Sequence, residues 1–176
     1  MIIESKNIKL RSVEISDAQF ILGLRLNRGQ FLSQTNPSLQ NQINWIEAYK
    51  ERESQNLEYY FVIEDFFGNS LGVVRIYQIN YQEKTFTFGS FIIDEKSTYK
   101  YCALEAMTAV FKFCFFDLKL EKCFFDCRKN NDIANNFYQR YGAKIINSDD
   151  VDIYYVYQKN WFDRDYKKYL DLMFLA

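Results

Sequence analysis

The chain has 176 residues, of which 48% are hydrophobic and 19% aromatic, so it can bury a core without disulfides or metals; intrinsic disorder is excluded, and we expect one domain over 1–176. Its 22 basic and 23 acidic residues give a net charge of -1, which disfavours a nucleic-acid partner because such a partner needs a concentrated basic face. The absence of histidine excludes Ser-His-Asp and Cys-His catalysis, a His general base and H-E-x-x-H zinc sites.

The N-terminal part of the chain predicts one strand followed by two helices. Residues 8–13 alternate between apolar and polar side chains, as a half-buried strand does. Ser16 and Asp17 are predicted to form the N-cap and the acidic first turn of the first helix. The turn at 36–38 contains proline and serine and is predicted to cap a second helix at 39–52.

The middle of the chain predicts an antiparallel meander. Residues 58–64 are aromatic and β-branched, the Gly-Asn pair at 68–69 marks a turn, and 71–81 and 84–93 read as two further strands. The segment 102–118 carries apolar residues at helical spacing, which predicts a buried helix.

The C-terminal part predicts a return to the sheet. A strand at 122–127 precedes a helix at 132–141, which Gly142 closes in the position that favours a left-handed residue. Two more strands and a C-terminal helix or tail follow at 143–146, 152–157 and 161–176. The order of elements indicates an α/β fold with helices on both sides of one mixed sheet.

The cysteines and the apolar runs indicate a cellular location. The four cysteines form no C-x-x-C pair, and three lie in apolar stretches, as expected of buried free thiols in a reducing compartment. The first eleven residues lack the apolar segment of a signal peptide, and no apolar run approaches the roughly 18 residues of a membrane helix. We therefore expect a cytoplasmic protein with no membrane partner and no bound metal.

The most specific motif lies at 131–142, where the sequence has the pattern N-x-x-A-x-x-x-Y-x-x-x-G. This motif, together with the order of elements from about residue 9 to 157, resembles the GNAT superfamily of N-acetyltransferases. The resemblance implies a mixed, mostly antiparallel sheet of six to seven strands, in which the fourth and fifth strands splay apart. It also implies acetyl-CoA as cofactor, with Asn131 near its pantetheine arm and Tyr138 near its sulfur. The alternative is that Tyr138 is core packing and Asn131 an ordinary N-cap.

The cofactor loop of this family departs from its usual pattern here. In the family, a Q/R-x-x-G-x-G/A loop wraps the pyrophosphate at a helix N-terminus, where unpaired N–H groups and the helix dipole hold the anion. Thr98, Tyr101 and Ala103 stand at the Q/R, first Gly and Gly/Ala positions, and only Ala103 fits. The resemblance implies cofactor contacts from Phe91, Ile92, Ile93, Ser97, Thr98, Lys100, Tyr101, Cys102, Ala103, Asn131, Ala134 and Tyr138.

A narrower resemblance concerns the acceptor. The segments 58–61, 72–77, 89–92 and 125–131 are similar to a GNAT subgroup found with bacterial surface-polysaccharide synthesis. This implies acetylation of a nucleotide-linked deoxyamino sugar, whose pyrophosphate and base call for Arg or Lys and for aromatic rings. The predicted acceptor residues are Arg25, Asn27, Gln42, Trp45, Tyr49, Arg52, Tyr60, Arg75 and Tyr77. Trp45 and Tyr49 are equally consistent with core or lid packing, and Arg52 with a solvated helix surface.

The catalytic residues are predicted from the same resemblance. Tyr138 would protonate the leaving thiolate, and a carboxylate would take the proton of the amine. Glu105 and Asp94 are the candidate carboxylates together with Glu58, Glu83 and Asp126, among which the sequence does not choose. A backbone N–H near Ile92 or Ile93 would meet the oxyanion.

Other functions stay open at this point. A polyamine or a protein N-terminus could be the acceptor, although a polyamine site should be rich in carboxylates. A GNAT-fold binding module without catalysis is consistent with the glycine-poor loop. A structural or oligomerisation role, such as a homodimer formed through the aromatic C-terminal stretch, is the remaining alternative.

Overall fold

The computed structural model describes residues 1–28 and 30–174. One mixed sheet of eight strands has the order β1-β2-β3-β4-β5-β6-β8-β7. The strands are β1 Ile2–Glu4, β2 Ile8–Ser12, β3 Tyr59–Asp65, β4 Ser70–Asn80, β5 Thr85–Ile93, β6 Lys122–Arg128, β7 Lys144–Ser148 and β8 Asp152–Gln158. The α-helices are α1 Ala18–Arg28, α2 Leu39–Ser54, α3 Cys102–Lys112, α4 Asp132–Tyr141 and α5 Lys159–Phe174.

The sheet is antiparallel except between β5 and β6. These two strands pair in parallel over three residues only, Thr85–Thr87 against Lys122–Phe124. Beyond this contact, residues 88–93 of β5 pair with β4 and residues 125–128 of β6 pair with β8, but no pairing joins the two segments to each other. The prediction that these strands splay is confirmed.

Helices cover both faces of the sheet, as predicted. The helices α1 and α2 bury a smaller core against β3, β4 and β5. On the opposite face, α3, α4 and α5 enclose a larger, strongly aromatic core. Phe111 of α3 lies at its centre, with ring centroids 5.6 Å from Phe88, 5.0 Å from Tyr157 and 5.7 Å from Tyr141. Aromatic side chains therefore fix α3 against strands on both sides of the splay.

The order of elements follows the sequence prediction, with two differences. The sheet has eight strands instead of six or seven because β1 pairs with β2 at the edge, and three residues are too few for alternation to reveal a strand. Ser16 is not the N-cap of the first helix. Glu14 takes that position at a short 3₁₀ turn, where its backbone N–H donates to Asp17 Oδ2 at 2.8 Å.

The other helix boundaries follow the capping signals. Ser38 caps α2 by accepting from the Asn41 N–H, and Gly142 ends α4 with a φ of 100°. The predicted helix at 102–118 is α3 followed by a wide π-helical turn at Phe113–Asp117. The predicted C-terminal helix is α5, while Leu175 and Ala176 lie outside the described residues. No helix in the described part of the chain is long and apolar enough to span a membrane.

Candidate active site

The site is built around the gap between the two unpaired arms, 88–93 of β5 and 125–128 of β6. A β-bulge shapes the first arm: Val73 faces Ile92 and Arg75 faces Gly89, so the register with β4 shifts between them. Ser90 lies in this bulge with a φ of 46°, a left-handed conformation that is uncommon for a residue with a side chain. The bulge therefore redirects the backbone where the two arms separate.

Tyr138 of α4 lies beside this gap. Its ring packs edge-on against Phe125, with centroids 4.8 Å apart, and against Phe88 at 6.4 Å. Burial raises the pKa of the phenol, and the neighbouring Cys127 adds to this effect, so the hydroxyl keeps its proton at neutral pH. Among the described residues, the hydroxyl has no hydrogen-bond partner. Tyr138 thus has both a packing role and a protonated group free to act.

Asn131 acts as an N-cap in the structure. Its side-chain oxygen accepts from the Ala134 N–H at 3.2 Å and so begins α4. Phe91, on the opposite arm, packs against Phe137 of the same helix at 6.4 Å. The predicted contacts of Asn131, Ala134 and Phe91 with a cofactor stay predictions, but all three lie where β5 and α4 face each other.

Hydrogen bonds to Asp94 hold the beginning of the loop that precedes α3. Asp94 accepts from the Lys96 N–H at 3.0 Å through its side chain and from the Ser97 N–H at 3.0 Å through its carbonyl. Ser97 and Thr98 line a surface cavity of about 490 Å³. The Ser97 hydroxyl is buried and makes no well-formed hydrogen bond in the described part of the chain, although it lies beside the Cys102 thiol and opposes the rise in the pKa of that thiol. This loop therefore holds an unsatisfied polar atom next to the start of α3.

The remaining loop residues have structural surroundings. Tyr101 is the N-cap residue of α3, and the ammonium of Lys100 lies 5.3 Å above its ring. Cys102 is buried in the larger core, and Ala103 follows it in the first turn of the helix. Burial raises the pKa of the Cys102 thiol to about 11, so it is not a thiolate at neutral pH.

Glu105 lies away from the gap and joins α3 to the β1–β2 turn. It is fully buried, and its carboxylate accepts from Asn7 N at 2.7 Å, Asn7 Nδ2 at 3.0 Å and Tyr99 Oη at 2.6 Å. Burial by itself would raise the pKa of Glu105, but the hydrogen bonds from Tyr99 and Asn7 outweigh it and the pKa is lowered. Glu105 therefore anchors α3 to the β1–β2 turn, and its hydrogen-bond partners lie outside the gap between the arms.

Replacing Glu105 by glutamine should destabilise the fold by about 2 to 3 kcal/mol, because the amide cannot accept from all the donors that now surround the carboxylate. A carboxylate with a lowered pKa stabilises the folded state above its unfolded pKa and loses this contribution as the pH falls through the folded pKa. Urea unfolding of the wild type should therefore show a loss of stability in acid that the Glu105→Gln variant lacks.

The exposed Glu47 on α2 offers a matched control, and Glu47→Gln should change the free energy of unfolding by less than about 0.5 kcal/mol. Equal stabilities of the Glu105→Gln variant and the wild type would contradict the anchoring role.

A cavity of about 280 Å³ opens on the α1 and α2 face of the sheet, beside the bulge at Ser90. Its lining contains two arginines and several amides and hydroxyls. It is formed by Arg25, Ser33, Gln34, Thr35, Asn36, Asn41, Gln42, Trp45, Tyr60, Arg75 and Ser90. None of these described lining residues is Asp or Glu. The cavity is therefore positively charged.

Five of the nine predicted acceptor residues line this cavity: Arg25, Gln42, Trp45, Tyr60 and Arg75. Tyr49, Arg52 and Asn27 do not. Tyr49 is buried, and its hydroxyl accepts from the Tyr60 N–H of β3. The guanidinium of Arg52 lies 5.5 Å from the ring centre of Trp45, and Asn27 is exposed on α1. Tyr77 lines a neighbouring cavity instead.

Sequence reasoning missed the contribution of 33–36 and Asn41. Arg25 holds this loop by donating from Nε to Thr35 Oγ1 at 3.0 Å and from Nη2 to the Ser33 carbonyl at 3.2 Å. The polar composition of the segment around the proline was the only signal available, and it also fits an ordinary turn.

Tyr60 is the buried floor of this cavity. Burial raises the pKa of Tyr60 to about 12, while the charges of Arg25 and Arg75 oppose the rise. The phenol is consequently neutral at physiological pH and available as a hydrogen-bond donor.

The neighbouring cavity, of about 470 Å³, extends across the β5–β6 contact and contains Tyr77, Thr87, Phe125, Asp126 and Tyr154 among its lining residues. Partial burial and the charge of Asp152 raise the pKa of Asp126, against the lowering effect of Arg128. Asp126 in turn contributes to raising the pKa of both Tyr77 and Tyr138. Asp126 is thus an exposed residue of β6 whose charge acts on both tyrosines.

The structure separates the five candidate carboxylates. Glu105 and Asp94 are engaged as described above. Glu58 pairs with two arginines, and Glu83 lies in the β4–β5 turn, at the closed end of the β5–β6 contact. Only Asp126 projects from a splayed arm without an ion pair among the described residues. No group of three or more His, Cys, Asp or Glu in the described part of the chain could hold a metal ion.

Comparison with known proteins adds to this geometry. Residues 7–144 match the family model described as an acetyltransferase (GNAT) domain. The solved structure titled "Apo FdhC- a nucleotide-linked sugar GNAT" is 33% identical, covers 97% of each chain and has a TM-score of 0.88. No curated protein matches the chain in sequence.

More distant solved structures share the fold alone. Spermidine N-acetyltransferase from Vibrio cholerae in complex with CoA and spermine is 24% identical, covers 89% of this chain and 98% of its own, and has a TM-score of 0.75. RimL, a ribosomal L7/L12 alpha-N-protein acetyltransferase, is 17% identical with coverages of 90% and 94% and a TM-score of 0.77.

Proposed function

The chain belongs to the GNAT acetyltransferase family, and from this premise we propose that it transfers an acetyl group from acetyl-CoA to the amine of a nucleotide-linked amino sugar. The observation that carries the choice of acceptor is the charge of the cavity beside the bulge. Two arginines and no carboxylate stand among its described lining residues. An anionic sugar nucleotide suits this lining, whereas a polycationic amine would be repelled by it.

The two splayed arms and the α3 loop fit the cofactor. Between the arms, backbone groups have no partner strand, and at the start of α3 the buried Ser97 hydroxyl has only the Cys102 thiol beside it. A pantetheine chain offers amides for the arms, and a pyrophosphate offers acceptors for Ser97 and for the helix N-terminus. We propose that residues 91–93, 97–103, Asn131 and Tyr138 hold it. Acetyl-CoA supplies the thioester carbonyl that the amine attacks.

The chain's own residues then manage two protons. Asp126 is the proposed base, because it lies on a splayed arm, lines the cavity across the β5–β6 contact, and has a raised pKa that brings it nearer to neutrality. Tyr138 is the proposed acid, since its protonated hydroxyl is free of other hydrogen bonds. An amide N–H of the β5 arm, near Ile92 or Ile93, would donate to the carbonyl oxygen.

Calorimetry with acetyl-CoA, followed by a thiol-release assay over nucleotide-linked amino sugars, spermine and peptide N-termini, tests the proposal. We expect micromolar binding of acetyl-CoA and a kcat/KM on a sugar nucleotide about 100-fold above that on spermine. Preferred turnover of spermine would show a polyamine enzyme. Failure to bind acetyl-CoA would support the binding module. The predicted homodimer, location and role in polysaccharide synthesis stay predictions.

A further inference from the structure

Arg75 of β4 is held in an aromatic setting on the face of the sheet that carries α1 and α2. Its guanidinium carbon lies 4.9 Å from the ring centre of Trp45 and 4.5 Å from that of Tyr77. Tyr77 in turn lies against Gly89, where a Cβ would come within 3.0 Å of its Cε1 atom. The absence of a side chain at Gly89 allows Tyr77 to occupy this place. The guanidinium of Arg75 therefore packs against two rings, Trp45 of α2 and Tyr77 of β4.

Glu58 completes the support of Arg75. Its side chain is 4% exposed, and its two oxygens accept separately, Oε1 from Arg75 Nε at 2.5 Å and Oε2 from Arg52 Nε at 2.7 Å. Among the described residues, Arg75 donates from Nε alone, so its two terminal amino groups have no protein acceptor. A buried carboxylate thus holds Arg75 by one side of the guanidinium and leaves the other side free.

The arrangement leaves excess positive charge at the cavity. Glu58 pairs with both Arg52 and Arg75, whereas Arg25 has no carboxylate partner among the described residues; Arg25 and Arg75 line the cavity. Trp45 also packs against Tyr49 and Tyr60, with ring centroids 6.1 Å and 5.7 Å away. The indole lines the cavity, but two tyrosine rings and two guanidinium groups contact it, so it supports the arginines and is poorly placed to stack on a nucleobase.

We propose that this cavity is a diphosphate-binding site of the acceptor, in which Arg75 contacts the diphosphate and Glu58 is a positioning residue that acts through Arg75. The inference rests on the proposed function for the rest of the acceptor. A diphosphate matches the free, planar edge of a guanidinium, which presents two donors to two phosphate oxygens. Arg25, which is hydrogen-bonded to the loop 33–36, also lines the cavity and supplies the second cation.

The test uses the full chain and the free nucleoside diphosphates UDP, dTDP and GDP, with binding measured by calorimetry in the absence of acetyl-CoA. Arg75→Gln should weaken the tightest of these by about 10- to 100-fold, since it removes a charged donor pair. Arg140→Gln is the control for the loss of one positive charge: Arg140 is exposed on α4 and lies outside the cavity, so the affinity should change by less than about twofold. Glu58→Gln should raise the KM for the acceptor with little change in kcat. Glu58→Asp, which keeps the carboxylate, should have a KM between those of Glu58→Gln and the wild type.

Each outcome decides between the alternatives. Equal loss in the Arg75 and Arg140 variants, or no binding of any nucleoside diphosphate, would overturn the proposal. The proposal would also be overturned if the nucleoside diphosphate competed with acetyl-CoA and Arg75→Gln lost acetyl-CoA binding. The cavity would then hold the cofactor's own diphosphate. Arg75-dependent binding without acetyl transfer to any sugar nucleotide would support the site and refute the proposed function. Acetyl transfer to a sugar nucleotide with an unchanged KM for that acceptor in Arg75→Gln would support the proposed function and refute the diphosphate site.

Discussion

Replacement of Tyr138 by phenylalanine is expected to lower kcat by about 100-fold or more while it leaves the free energy of unfolding nearly unchanged. The ring contacts with Phe125 and Phe88 are retained in the variant. The hydroxyl that is lost bonds to no described residue, so its removal leaves no buried group unsatisfied. Steady-state thiol release and urea unfolding of the same preparations measure the two quantities.

Tyr141, one turn further along α4, provides the matched control. Its hydroxyl lies 3.1 Å from Thr108 Oγ1 in the core. Tyr141→Phe should therefore lose about 1 kcal/mol of stability and keep its kcat. A Tyr138→Phe variant with wild-type kcat would show that Tyr138 only packs, as the alternative interpretation of the motif holds.

Replacement of Asp126 by asparagine should lower kcat at neutral pH by about 100-fold, because the variant has no group at this place that can take the proton of the amine. In the wild type, kcat/KM should fall as the pH drops through the pKa of Asp126, since only the carboxylate acts as a base. Burial and the neighbouring Asp152 raise this pKa, so the fall of kcat/KM in acid (the acid limb of the pH profile) should occur at a higher pH than the usual pKa range of an aspartate. The limb should be absent from the variant.

The stability of the Asp126→Asn variant should change in the opposite direction to its activity. A carboxylate whose pKa is raised on folding opposes folding above its unfolded pKa, and this cost is relieved as the pH falls through the folded pKa. Asp126→Asn should thus be as stable as the wild type or more stable at neutral pH. Glu83→Gln, in the turn at the closed end of the β5–β6 contact, should leave both properties unchanged. An acid limb that persists in Asp126→Asn would assign the base elsewhere.

The sequence contained enough information for the order of the elements and for Tyr138. Alternation marked the strand at 8–13, aromatic and β-branched residues with turn signals marked the central strands, and a fixed spacing within one helix set Tyr138 relative to Asn131. It did not show β1, because a three-residue edge strand owes its existence to pairing with β2 rather than to its own pattern.

The choice among the carboxylates needed tertiary contacts. Glu105 and Asp126 are both acidic residues next to apolar ones, and nothing local to either predicts its partners. Glu105 accepts hydrogen bonds from Asn7, 98 residues earlier in the chain, whereas Asp126 lies just past the point where β6 separates from β5 and lines the cavity there. Trp45 similarly has a role that its helix alone does not reveal, since one of its two arginine partners, Arg75, comes from β4.

The brief contact between β5 and β6 has a consequence for how the protein unfolds. Five strands on one side and three on the other are continuous through backbone pairing over three residues only. Phe111 bridges them with its side chain, since it contacts Phe88 of the first group and Tyr157 of the second. The cooperativity of unfolding therefore depends on the aromatic core under α3 more than on the hydrogen bonds of the sheet, and it is the packing of this helix that makes the two groups of strands melt as one unit.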